Sequence, residues 1–129
     1  MIVGMTIEDM ERLARTNDMG LDAMAIRLRA ARTVTGLSQK AMAGEIGIGA
    51  TALNNAELGL SAPNAATMKY LFRAHRIDFN FVMNGNFAQL PGDVQDRLFP
   101  ALEAATNEWD QRESSGRGQA KPTRARETS

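Results

Sequence analysis

The sequence predicts an all-α protein. Several segments place apolar residues three or four positions apart, which is the spacing of one helix face, and no segment of convincing length shows the alternation of a half-buried strand. Short stretches rich in Gly, Pro, Asn and Asp separate these segments, and such residues end helices or form turns. We therefore expect a cluster of helices with short connections.

The composition restricts the classes of function. The 129 residues suffice for one domain, with 43% hydrophobic and 23% charged residues. Cysteine is absent, which excludes disulfides and thiolate metal sites, and the single histidine, His75, leaves little for histidine-based catalysis. No apolar run approaches the roughly 20 residues of a membrane span, and the first residues lack a signal-peptide pattern. We expect a cytoplasmic protein without membrane contact, cofactor, metal or evident small-molecule ligand.

A short helix is predicted near the start of the chain, over residues 6–16. Thr6 can cap it, and Asp9 completes a pattern that resembles a capping box. Its apolar face consists of Ile7, Met10, Leu13 and Ala14. This face needs a partner, either the main core or another subunit, and residues 1–20 are predicted to form an N-terminal helical extension.

Five helices are predicted within residues 21–86. The first runs from Asp22 to Thr35 and ends at Gly36. Its residues Met24, Leu28 and Ala31 are expected to face inward, and Arg27 and Arg29 outward. The other four cover residues 39–46, 50–58, 65–75 and 79–83, and they begin after Ser38, Gly49, Asn64 and Asp78. In helix 65–75 the predicted buried stripe is Met68, Leu71 and Phe72.

The C-terminal part is predicted to contain one more helical region and a tail. Residues 93–112 have helical spacing, and Pro100 either kinks that helix or begins a new one. Residues 87–113 are therefore interpreted as a helical extension that could mediate dimerisation, in which Trp109 packs on the domain or on a partner. Residues 114–129 contain no large apolar residue and are predicted to be a disordered basic tail.

Charge is distributed unevenly, although the net charge of the chain is zero. Residues 20–90 contain 7 basic and 4 acidic side chains, whereas residues 91–113 contain 2 and 6. The middle of the chain is therefore more basic than the overall balance indicates.

The stretch "LSQKAMAGEIGIGATALNNAELG", residues 37–59, has the order helix, glycine-centred turn, helix. Together with "RLRAARTVTGLSQ" before it and "IDFNFVMNG" after it, residues 24–85 resemble the Cro and lambdoid phage-repressor type of helix-turn-helix, the Xre-like family. The resemblance implies a five-helix lambda-repressor-like domain and a homodimeric, sequence-specific regulator of transcription, repressor-like rather than enzymatic. Its partner would be double-stranded DNA, read in the major groove by helix 50–58.

The resemblance also assigns roles to individual residues. Gln39 begins the first motif helix, where the family uses an amide on a phosphate or a base edge. The exposed face of the recognition helix would consist of Ala50, Thr51, Asn54 and Asn55. Of these, Asn55 is the best direct reader, because an amide can bond bidentately to adenine. Read without the resemblance, these are small exposed residues of a surface helix.

A structural ion pair is implied as well, because the family pairs the arginine and glutamate that correspond to Arg32 and Glu57. The chain also departs from the family: the turn after Gly59 reads "LSAPN", and the recognition helix contains no lysine or arginine. Phosphate contacts would then depend on other basic residues, namely Arg27, Arg29, Lys40, Lys69 and Arg73. This departure keeps open an alternative function, a protein-interaction or antitoxin-like module with weak or no specific DNA binding.

Overall fold

The structure is a computed structural model that describes residues 4–118. This part of the chain contains seven helices and no strand, so the predicted all-α class is confirmed. The helices are α1 (Ile7–Ala14), α2 (Leu21–Thr35), α3 (Gln39–Ile46), α4 (Ala50–Glu57), α5 (Ala65–His75), α6 (Phe79–Asn84) and α7 (Gly92–Gly118). None of the described helices combines the length and the apolar character needed to cross a bilayer.

Short polar side chains cap the starts of α1, α3, α5 and α6, as predicted. The Thr6 hydroxyl accepts a hydrogen bond from the Asp9 N–H, and the Asp9 carboxylate accepts one from the Thr6 N–H, which completes a capping box. Ser38 caps α3 and Asp78 caps α6 by accepting the N–H of the third helical residue. Each cap satisfies an N–H group that has no partner inside its helix.

Helix α2 lies at the centre of the fold and contacts α4, α6 and α7. Helix α1 packs on α7, α3 packs on α4 and α5, and α5 packs on α6. A single hydrophobic cluster includes Met10 and Leu13 of α1 together with Leu98, Leu102 and Trp109 of α7. The apolar faces of both flanking helices are therefore buried in the core of this chain, except for Ile7, which was predicted on this face of α1 and is 51% exposed.

Arg27 of α2 is the main correction to the sequence interpretation, which placed it outward. It is completely buried, and its guanidinium donates hydrogen bonds only to backbone carbonyls. The acceptors are Ala14, Arg15 and Asp18 at and beyond the end of α1, and Val82 in α6. Burial lowers the pKa of Arg27 to about 10, so the side chain remains charged at neutral pH. The C-terminal end of a helix carries a partial negative charge, so the positive charge of Arg27 interacts favourably with the ends of α1 and α6.

Gly85 ends α6 directly beside this arginine. Its φ of 77° lies in the left-handed region, and a Cβ there would come within 2.5 Å of the Ala14 carbonyl oxygen. The Thr16 hydroxyl donates a 2.8 Å hydrogen bond to the Gly85 carbonyl. Glycine is therefore needed where the end of α6 meets the end of α1.

Phe72 is the second correction, because it is 59% exposed rather than buried. The buried side of α5 runs through Thr67 and Leu71, which are four residues apart, so Met68 and Phe72 lie at its border. Phe72 lines an apolar surface groove with Met68 of α5 and Phe79 of α6.

Helix α7 is a single helix at Pro100, where the sequence left open a kink or the start of a new helix, and it extends further than predicted at its C-terminal end. It continues through Pro100, whose ring is exposed, while the neighbouring Leu98, Phe99 and Leu102 are buried. It also continues to Gly118, so residues 114–118 are helical rather than disordered. The remainder of the predicted tail, residues 119–129, lies outside the described residues.

The start of α7 is joined to the end of α5 by an ion pair. Arg76 has a φ of 60°, in the left-handed region, and its guanidinium donates to both Asp93 oxygens at 2.6 and 3.2 Å. Hydrogen bonding to Arg76 lowers the pKa of Asp93.

Candidate nucleic-acid interface

The surface of interest is formed by α3, the turn Gly47–Gly49 and α4. Gly47 has a φ of 90° and ends α3, which lets the chain reverse into α4 within three residues. Helix α4 buries Leu53, Ala56 and Glu57 against α2 and α3. The opposite side of the helix consequently faces away from the core.

This outward side contains the predicted reading residues. Ala50 and Thr51 are exposed, and Asn54 and Asn55 are half-buried. We call these four residues the α4 face. The described part of the chain offers no hydrogen-bond partner to the side chains of Thr51, Asn54 or Asn55, so their donors and acceptors are available to a ligand.

Glu57 fixes the orientation of α4. Its side chain is 1% exposed, and the predicted pair with Arg32 forms through two hydrogen bonds of 2.6 and 3.1 Å. Arg32 also donates to the Leu37 carbonyl at 3.0 Å. Because Arg32 belongs to α2 and Leu37 precedes α3, the Arg32–Glu57 pair connects α2, α3 and α4 and fixes their relative positions.

Gln39 joins the same network. Its Nε2 donates a 3.1 Å hydrogen bond to Glu57 Oε1, so one of its two amide N–H donors is engaged within the protein. The neighbouring Lys40 is exposed and forms no ion pair with the described residues. The structure thus places Gln39 beside the buried pair and Lys40 on the surface.

The basic residues that could contact phosphates separate into two groups. Arg27 is buried, and Arg29 lies 3.6 Å from Glu57 and 3.3 Å from Glu108. Three others are exposed and have no ion-pair partner in residues 4–118: Lys40, Lys69 and Arg73. Of the five basic residues that the sequence suggested for phosphate contacts, these three are the exposed ones whose charge no described carboxylate pairs.

Two leucines beside the α4 face were not identified from the sequence as part of the surface. Leu58 is 36% exposed and Leu60 is 67% exposed. Leu58 lies four residues after Asn54 and three after Asn55, so it continues the same side of the helix. The one sequence feature that indicates an apolar surface at these two leucines is the absence of basic residues in the turn after Gly59.

His75 behaves as a helix-end residue. Its Nε2 lies 3.2 Å from the Tyr70 hydroxyl, which donates a 2.8 Å hydrogen bond to Glu45. Burial and the hydrogen bond to Glu45 raise the pKa of Tyr70. Among the residues that the structure describes, no three metal-binding side chains lie together.

The chain matches no family model, no curated protein and no solved structure. We therefore interpret the α4 face from its geometry and from the motifs in its sequence.

Proposed function

We propose that this chain is a sequence-specific DNA-binding regulator of transcription, in which α2–α6 form a lambda-repressor-like domain and α4 enters the major groove. One observation supports this most directly: the α4 face presents amide and hydroxyl groups without partners in residues 4–118, on a helix whose orientation is fixed by a buried ion pair. Such groups read base edges. Repression would follow from occupation of an operator.

In this proposal the contacts have distinct roles. The Asn55 amide bonds to the N6 and N7 positions of an adenine, and Thr51 contacts a base or a thymine methyl. Lys40, Lys69 and Arg73 are the candidates for phosphate contacts, since their charges are unpaired among the described residues. Because each neutralised phosphate adds to the salt dependence of binding, so few cations predict weak dependence on salt concentration.

The proposed regulator acts as a homodimer that reads two half-sites about 34 Å apart, one turn of the double helix. The inner faces of α1 and α7 are buried in the core, so a dimer would use other surfaces of the molecule. Sedimentation equilibrium of the full chain measures this directly, and we expect a dimer.

Replacing Asn55 tests the proposal at one base pair. We expect selection from random duplex DNA to yield a pseudo-palindromic site for the natural protein. Asn55→Ala should weaken binding to that site by roughly 1–3 kcal/mol and relax the preference at one base position in each half-site. Fluorescence anisotropy with single-base variants of the selected duplex measures both effects.

Asn107→Ala is the matched control, because Asn107 is an exposed asparagine on α7, away from the α4 face. It should bind the selected site as the natural protein does. Equal binding of all duplexes by the natural protein and by Asn55→Ala would refute specific reading by α4.

A protein-interaction module is the second candidate function, and the exposed Leu58 and Leu60 favour it. These side chains lie at the end of α4, where the family that residues 24–85 resemble uses basic residues to contact phosphates. Apolar side chains of this kind are common at protein interfaces. Failure of the selection experiment to enrich any sequence would favour this function.

A further inference from the structure

A second surface feature lies on the side of α2 opposite to Arg27, the residue that contacts the end of α1. A cavity of about 430 Å³ opens between α2, the end of α4 and the C-terminal half of α7. Its apolar wall includes Ala25 and Ile26 of α2 and Ala105 and Trp109 of α7. This volume is in the range of small-molecule sites, which typically combine apolar walls with a few polar groups.

Arg29 lines this cavity, and the N–H donors of its guanidinium lack hydrogen-bond acceptors among the described residues. It is 3.6 Å from Glu57 and 3.3 Å from Glu108, and it makes no hydrogen bond to any residue described. Glu57 already accepts hydrogen bonds from Arg32 and Gln39. The pair with Glu108 is exposed on both sides, with 40% and 59% of the side chains accessible, and exposed pairs contribute little to stability.

Arg112 is the second arginine of the cavity. Its guanidinium carbon lies 4.1 Å from the centre of the Trp109 ring, and its Nη2 makes one long hydrogen bond, 3.4 Å, to the Leu58 carbonyl. A guanidinium has five N–H donors. Most donors of both arginines are therefore left without an acceptor in the described part of the protein.

We propose that this cavity binds a small organic carboxylate. The carboxylate accepts hydrogen bonds from Arg29 and Arg112, a geometry in which arginine forms short, charge-assisted bonds. The apolar body of the ligand packs on Ala105 and Trp109, which keep 4% and 8% of their surface exposed, whereas Ala25 and Ile26 are buried.

The two acidic residues of the cavity are compatible with an anionic ligand. Arg32 compensates the charge of Glu57, and Glu108 can turn into solvent when the ligand takes its place at Arg29. A cationic ligand would compete with Arg32 and Gln39 for Glu57, which is 1% exposed. This proposal is independent of DNA binding.

The indole of Trp109 provides the measurement, because it is the only tryptophan of the chain. We expect benzoate and hexanoate to shift the indole N–H signal of the full-length ¹⁵N-labelled protein saturably at millimolar concentrations. The uncharged counterparts benzamide and hexanamide should bind at least about tenfold more weakly. Absence of saturation with both acids, or equal binding of acids and amides, would overturn the proposal.

Arg29→Gln and Arg97→Gln form a matched pair for the same titration. Arg29→Gln should weaken binding of benzoate at least about tenfold, whereas Arg97→Gln, an exposed change on α7 outside the cavity, should leave it unchanged. The amide spectrum of each variant reports whether it is folded. Folded Arg29→Gln with unchanged affinity would remove Arg29 from the site and contradict the proposed recognition.

Discussion

Arg27→Met is expected to destabilise the protein by at least about 3 kcal/mol, because two buried and two partly buried carbonyl groups would lose their donor at once, and each buried one costs roughly 1–3 kcal/mol. Replacing a buried charge by an apolar side chain can be neutral when both partners are replaced. Here the partners are backbone carbonyls of Ala14, Arg15, Asp18 and Val82, which the substitution leaves in place. The loss is therefore not compensated.

Urea denaturation measures this change in the free energy of unfolding. Arg73→Met is the control, since Arg73 is an exposed arginine of a helix, and it should change stability by no more than about 0.5 kcal/mol. Arg27→Lys should fall between the two, because an ammonium has three donors and lacks the planar fork. If Arg27→Met unfolded at the same urea concentration as the natural protein, the carbonyl contacts of Arg27 would contribute nothing to stability.

Glu57→Ala is expected to lower the free energy of unfolding by roughly 1–3 kcal/mol, because Arg32 and Gln39 would lose their acceptor in a partly buried environment. The same change should weaken any binding that depends on the orientation of α4. Thermal melting followed by circular dichroism measures the effect on stability.

Glu103→Ala provides the comparison for Glu57, because Glu103 is an exposed glutamate of α7. It should melt within about 0.5 kcal/mol of the natural protein. Identical melting of Glu57→Ala and Glu103→Ala would show that the buried pair does not hold α4 in place.

Helix boundaries could be predicted because the interactions that set them are local. Thr6, Ser38 and Asp78 each satisfy an N–H group three residues further along the chain, so the pattern is visible in a short window of sequence. The last helix was predicted less well. Its final residues have weak helical preference, and α7 nonetheless continues to Gly118.

Arg27 and Phe72 show what a local pattern cannot supply. Arginine is seldom fully buried without a carboxylate, and the acceptors of Arg27 lie up to 55 residues away in sequence. Phe72 was assigned to the buried stripe on apolar character, but α5 faces the core through Thr67 and Leu71. Both outcomes depend on which helices meet, which only the tertiary structure shows.

The candidate site was predictable to a similar extent. The register of α4 with Glu57 and Asn55 followed from the motif spacing, and the Arg32–Glu57 contact is present in the structure. The engagement of Gln39 by Glu57 and the approach of Arg29 to Glu108 were not predicted, because both contacts depend on how two helices pack against each other.

The buried arginine has a consequence for the smallest part of this chain able to fold. An expression fragment that begins at residue 21 would contain every helix of the proposed DNA-binding domain, yet it would remove three of the four acceptors of Arg27. It would also open a hydrophobic cluster to which Met10 and Leu13 belong. The segment that the motif identifies is therefore shorter than the segment that folds by itself. The folding unit also includes α1 and the residues between α1 and α2.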